Sequence, residues 1–221
     1  MYLYTRILAL FSAVPYVEPG ANLASHEKQS VDLAPHLTNT SLQGDHGEDS
    51  VRLLEEMIDW SILSGEFDDV KLTAADVADI IRQIVDVLAE TFKAGLETPI
   101  HFQVGCLYHT RSIAVFNSNQ PLPNAFELYG VDFLITHASL SNTGPFYQVK
   151  LLEINAEPAI EKTGPRLAWI LEELFVSIGI VCVKPFLEGK RVAVMEKRWE
   201  LGETRYNLIK CLDEQVRPIR L

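Results

Sequence analysis

Several things are scarce in this 221-residue chain, and each scarcity closes a class of function. There are three cysteines (Cys106, Cys182 and Cys211), an odd number with no CxxC spacing. That excludes a disulfide framework or a cysteine zinc site and sets a reducing, cytoplasmic compartment as the default. The six histidines are scattered without metal-ligand spacing. Basic charge is short: 19 Lys and Arg stand against 30 Asp and Glu, a formal net charge of −11. A nonspecific nucleic-acid binder needs a basic face, so no direct nucleic-acid binding is expected. No apolar run approaches the ~18 residues that span a membrane. Ile7 to Val14, after Arg6, imitates a short secretion signal, but its basic region is a single residue. No Walker-type glycine loop occurs.

The composition that remains is that of a globular protein, 48% hydrophobic and 22% charged. Its most informative feature is a pair of strand-like segments. Phe126 to Ile135 is apolar except at Glu127 and Asp132. Val149 to Asn155 is apolar except at Lys150, Glu153 and Asn155. Side chains on a strand alternate faces, so Glu153 and Asn155 are expected on one face with Val149 and Leu151 behind them. Asp132 shares its face with Phe126, Leu128 and Gly130. Both segments read as mostly buried strands. The Ser-, Asn- and Gly-containing linker Thr136 to Tyr147 predicts a hairpin whose antiparallel pairing brings Asp132 near Glu153. A buried carboxylate needs a partner or a metal. Two carboxylates and an amide oxygen suit Mg2+, which takes oxygen ligands and keeps positions for phosphate. The competing reading is single acids satisfied by backbone or arginine.

These segments resemble the end of the ATP-grasp domain in the tubulin-tyrosine-ligase-like family. The matching residues are Phe126-Glu127-Leu128-Tyr129-Gly130-Val131-Asp132, then Leu151-Leu152-Glu153-Ile154-Asn155, then Pro158. Upstream, His36-Leu37-Thr38-Asn39-Thr40-Ser41-Leu42-Gln43 is similar to the family's "H-L-T-N-x-S-hydrophobic-Q" element. The resemblance implies an α+β fold: an ATP-grasp-like C-terminal lobe, with an antiparallel sheet and packed helices. It implies ATP and Mg2+ as cofactors, with Asp132, Glu153 and Asn155 as metal ligands and Thr38 and Asn39 beside the nucleotide. It also implies ligation of an amino acid to a protein carboxylate through an acyl-phosphate. Tubulin itself fits poorly as the protein substrate. In Tyr4-Thr5-Arg6-Ile7-Leu8-Ala9-Leu10, Arg6 is displaced by one position, and Leu10 stands where a second arginine would fall. The wording is similar to the fungal branch associated with processing bodies. That implies a cytoplasmic location, and it leaves open a noncatalytic ligase-like scaffold in an RNA-processing assembly.

The resemblance places a partial ligase-like domain over residues 1–188 and a charged tail or docked helix over 189–221. The family's phosphate-contacting lysines and glycine loop precede the strand on which Met1 lies. If the chain is complete, little catalysis is expected. Helices are expected over Ser50 to Ser64, from the Thr73-Ala74-Ala75-Asp76 start to Gly95, and over 165–178, with Lys184-Pro185 ending the compact region. Val104 to Gln120 interrupts the approach to Phe126. It is in frame, and its ends suit GT and AG codon boundaries. A retained intron and a natural surface loop both remain open. Transcripts that never skip these codons would count against the intron.

Overall fold

The computed structural model describes residues 1–12, 14, 38, 50–61, 70–97, 126–137, 146–156, 158, 160, 165–187 and 199–214. The possible insert 104–120, Asn39 and most of the 36–43 element lie outside the described residues. The fold is α+β with antiparallel sheets, as expected. The chain forms two compact units. One comprises Met1–Thr5, Ala75–Pro158 and Glu173–Leu221; the other comprises Arg6–Ala74 and Ala159–Glu172.

In the first unit, strands near the two ends of the chain share a sheet. β1 (Tyr2–Tyr4) pairs with β7 (Leu208–Lys210), which turns back on β6 (Thr204–Arg205). The described part of the tail is therefore a docked hairpin, where a charged tail or a docked helix is expected. Tyr206 and Asn207, at φ 50° and 58°, form a two-residue turn of the kind whose twist matches paired strands. The Asn207 carbonyl accepts the Thr5 amide at 2.9 Å, which ties the turn to the entering chain. Helix α1 (Ala74–Glu97) starts where the capping sequence places it. It runs through Gly95, because one helical glycine costs only about 1 kcal/mol. Val77, Ile80, Ile84 and Leu88 recur at three- and four-residue spacing and are buried. The antiparallel ribbon of β4 (Gly130–His137) and β5 (Tyr147–Asn155) completes the part that matters for function.

In the second unit the described part of the helix expected over 50–64, residues 50–61, takes another form. β3 (Val51–Leu53) pairs with β2 (Leu8–Leu10), and a 3-10 turn, Leu54–Met57, follows. Val51, Leu53, Leu54 and Met57 are buried. Their spacing suits a helical stripe and also a strand followed by a tight turn. Backbone pairing decides between them: the Leu54 amide bonds the Ile7 carbonyl at 2.8 Å, and the Leu53 amide bonds the Glu56 carboxylate at 2.8 Å. Arg6 pairs with Glu55 at 2.7 Å and lies over the Trp169 ring at 5.5 Å.

The third helix also differs from expectation. A 3-10 turn, Pro165–Leu167, leads into α2 (Ala168–Ile178), a π-helical stretch, Gly179–Val183, and α3 (Lys184–Leu187). Helix therefore continues past Lys184-Pro185. The Lys184 amide reaches back to the Gly179 carbonyl, a five-residue step. The wide turn sits just where Pro185 lacks a donor and needs room for its ring.

Candidate functional site

The β4–β5 ribbon is antiparallel, in the register that the hairpin reading predicts. Gly130 faces Asn155, Val131 faces Ile154, and Asp132 faces Glu153. The next pair is Phe133 with Leu151, so Leu152 has no partner and forms a β-bulge. The strands reach inward to His137 and Tyr147, and Phe126–Tyr129 precedes β4 rather than forming part of it.

The bulge corrects one expectation and explains another. Along β5, Val149 and Leu151 lie on the more covered face, whereas Lys150 and Leu152 are exposed. Past the bulge the parity reverses, so Glu153 and Asn155 are exposed while Ile154 is partly covered. Val149 and Leu151 therefore do not stand behind Glu153, because one extra residue flips every side chain beyond it. The acids also lie on an open face rather than in a buried strand. That face carries Asp132 and Leu134 from β4, and Lys150, Leu152, Glu153 and Asn155 from β5, with Lys150 opposite Leu134. Leu134 is 46% exposed and Leu152 is 61% exposed, so two large apolar side chains lie uncovered beside two acids.

Asp132 and Glu153 interact directly. Loss of surrounding water raises the Asp132 carboxyl above the usual range, and a hydrogen bond and like charge from Glu153 add to the rise. Asn155 Nδ2 donates to Glu153 Oε1 at 3.0 Å, which turns its amide toward the acids. Among the described residues no cluster of three or more His, Cys, Asp or Glu forms. The arrangement is thus two carboxylates with one amide, the set expected from the sequence.

Pro158 closes one side of the site. A Cβ on Gly130 would lie 2.8 Å from the Pro158 Cβ, closer than atoms can approach. The glycine is required because the proline crosses over it. This contact links the two halves of the motif, Gly-x-Asp and Glu-x-Asn-x-x-Pro. At the same end of the ribbon the Tyr129 hydroxyl donates to Glu127, and its ring meets Phe92 of α1 edge-on at 5.5 Å.

Sequence reasoning missed Gln83. Its Nε2 donates to the Tyr147 carbonyl at 2.9 Å, and its Oε1 accepts the Val149 amide at 3.1 Å. Asp79, four residues earlier on the same helical face, was a legible neighbour; the bond to β5 had no sequence signal. Of the two residues expected beside a nucleotide, Thr38 is exposed. Asn39 lies outside the described residues. Among the described residues no helix is long and apolar enough to cross a membrane.

Comparison with known proteins agrees with the motif reading. Residues 1–190 match the model of the Tubulin-tyrosine ligase family. The chain is 34% identical over 217 residues to the probable tubulin--tyrosine ligase PBY1 of Saccharomyces cerevisiae, covering 96% of this chain and 23% of that protein. It is 31% identical over 204 residues to the probable tubulin--tyrosine ligase C12B10.04 of Schizosaccharomyces pombe, covering 92% of this chain and 39% of that protein. The chain therefore spans well under half the length of these curated relatives. No solved structure matches it significantly.

Proposed function

The chain belongs to the tubulin-tyrosine ligase family, and from that premise we propose that its β4–β5 ribbon is the magnesium–nucleotide face of an ATP-grasp ligase. The proposed reaction joins an amino acid to a protein carboxylate. Phosphoryl transfer from ATP activates the carboxylate as an acyl-phosphate, and the incoming amine displaces phosphate. Such chemistry relies mostly on positioning and charge neutralisation.

One observation carries this reading: Asp132 and Glu153 are held opposite each other on an exposed face. Two like charges in register destabilise a ribbon. Burial would not explain them, and no described cation is paired with them. A divalent cation relieves the repulsion and finds oxygen ligands there. Asp132, Glu153 and the Asn155 amide oxygen would hold Mg2+, which when bound neutralises phosphate charge. The bulge supports the same reading from the apolar side. By adding Leu152 to the face that already carries Glu153, it sets an uncovered pair, Leu134 and Leu152, beside the acids. Such a surface suits the flat, apolar face of a nucleobase. The family resemblance assigns Thr38 and Asn39 to the same nucleotide.

The test is calorimetric titration of the chain with ATP in the presence and absence of Mg2+. Magnesium-dependent binding is expected. No binding under either condition would overturn the nucleotide reading for this chain and leave a noncatalytic ligase-like scaffold in its place.

A further inference from the structure

From outside the ribbon, the side-chain amide of Gln83 on α1 bonds the acid-bearing strand. Gln83 bonds a carbonyl and an amide two residues apart on β5, as a residue of a neighbouring parallel strand does. Its orientation is fixed by its other neighbour. Nε2 also donates to Asp79 Oδ2 at 2.8 Å, and a carboxylate beside an amide accepts rather than donates. Arg82 in turn grips Asp79 Oδ1 at 2.7 Å. That bond, followed by the one from Gln83, lowers the Asp79 carboxyl below its usual range and keeps it ionised. Arg82, Asp79 and Gln83 thus form a chain that ends on β5.

The helix grips the ribbon at both ends. Gln83 meets it at Tyr147, which pairs with His137 at the loop end. Phe92 meets Tyr129, next to Gly130 at the acid end. The two grips are nine residues apart on one rigid helix, about 14 Å. A bulged two-stranded ribbon is otherwise marginal by itself.

We propose that Gln83 is a positioning residue for the Asp132–Glu153 pair: it sets the lie of β5 from outside the site and so fixes the spacing of the two carboxylates. The metal readout below rests on the magnesium reading; the cross-strand readout does not. Gln83 touches β5 at Tyr147 and Val149, so its effect reaches Glu153 through the strand rather than through a bond to the carboxylate.

The experiment compares the full chain with Gln83→Met, which keeps the length and loses both bonds to β5 together with the one to Asp79, and with Gln83→Glu, which keeps only the acceptor for the Val149 amide. Mn2+ alone is titrated and followed by the loss of its free paramagnetic signal. Without metal, the nuclear Overhauser contact between the Asp132 and Glu153 backbones is measured. The expected result is a loss of Mn2+ affinity and a weakened cross-strand contact in Gln83→Met, and the same in Gln83→Glu, whose second oxygen faces the Tyr147 carbonyl and the ionised Asp79 and cannot replace the two bonds that Nε2 donates. Equal affinity and an intact contact in a folded Gln83→Met would overturn the proposal. If the unaltered chain takes no Mn2+, the magnesium reading fails and the cross-strand contact alone decides: lost in Gln83→Met, the positioning role stands; intact, it falls. If Gln83→Met does not fold, Gln83→Glu is judged by the same two readouts.

Discussion

The terminal sheet and the β4–β5 ribbon handle charge in opposite ways. In the terminal sheet each described charge of β6 and β7 has a partner of the other sign. Lys210, only 9% exposed, donates to Asp213 at 2.6 Å and to the Trp199 carbonyl at 3.0 Å. Arg205 binds Glu203 and lies 5.5 Å above the Trp199 ring. In the ribbon, Asp132 and Glu153 face each other with the same sign. Paired opposite charges belong to stability. Opposed like charges on an open face cost stability, and proteins keep such costs where a ligand removes them.

The sharpest test of that contrast is Glu153→Gln. It should abolish magnesium-dependent nucleotide binding in calorimetry and leave the thermal midpoint unchanged or higher, because it removes repulsion. A fall in midpoint would show that the pair is structural. Lys210→Ala should do the reverse. It should lower stability by about 1–2 kcal/mol in denaturant unfolding, since it strips the donor from a partly buried carbonyl, and leave metal binding unchanged. Gly130→Ala should affect both properties. The clash with Pro158 is expected to cost about 1–3 kcal/mol and to weaken Mn2+ binding, because the two halves of the motif meet there.

Two smaller effects refine the comparison. Tyr206 occupies a left-handed position where Asn is at ease, so Tyr206→Asn should stabilise the terminal sheet by about 0.5–1 kcal/mol. The other effect is in pH dependence. The folded-state pKa of Asp132 is raised above its unfolded value. Proton binding there favours the folded state, and that contribution is lost as pH rises through the raised pKa. The metal-free chain should lose a little stability across that window, and Mg2+ should abolish the loss. Thermal midpoints measured against pH with and without Mg2+ check this; identical profiles would separate the cation from the pair.

The ribbon was the most legible part of the fold. Apolar residues broken by Glu127 and Asp132 in one segment and by Lys150, Glu153 and Asn155 in the other have few strand readings, and antiparallel pairing across the Thr136 to Tyr147 linker brings Asp132 and Glu153 together. Helix α1 was equally plain, with its capping sequence and regular stripe. Residues 51–57 misled because Val51, Leu53, Leu54 and Met57 suit two periods, and only the Leu8–Leu10 strand selects one. The tail misled for a similar reason. Its short apolar pairs pair with β1, some two hundred residues earlier, and local pattern carries no record of that partner.

The sequence by itself determined the family and, through that resemblance, the α+β class, and it determined the two facing acids through strand pattern and residue chemistry. Only the tertiary structure decided that a bulge at Leu152 turns Glu153 and a leucine onto one open face. The same holds for Pro158, which makes Gly130 obligatory, and for Gln83, which holds the strand along its outer edge. Those outcomes depend on which backbone groups remain to be bonded once the strands have met, and that is settled in space rather than along the chain.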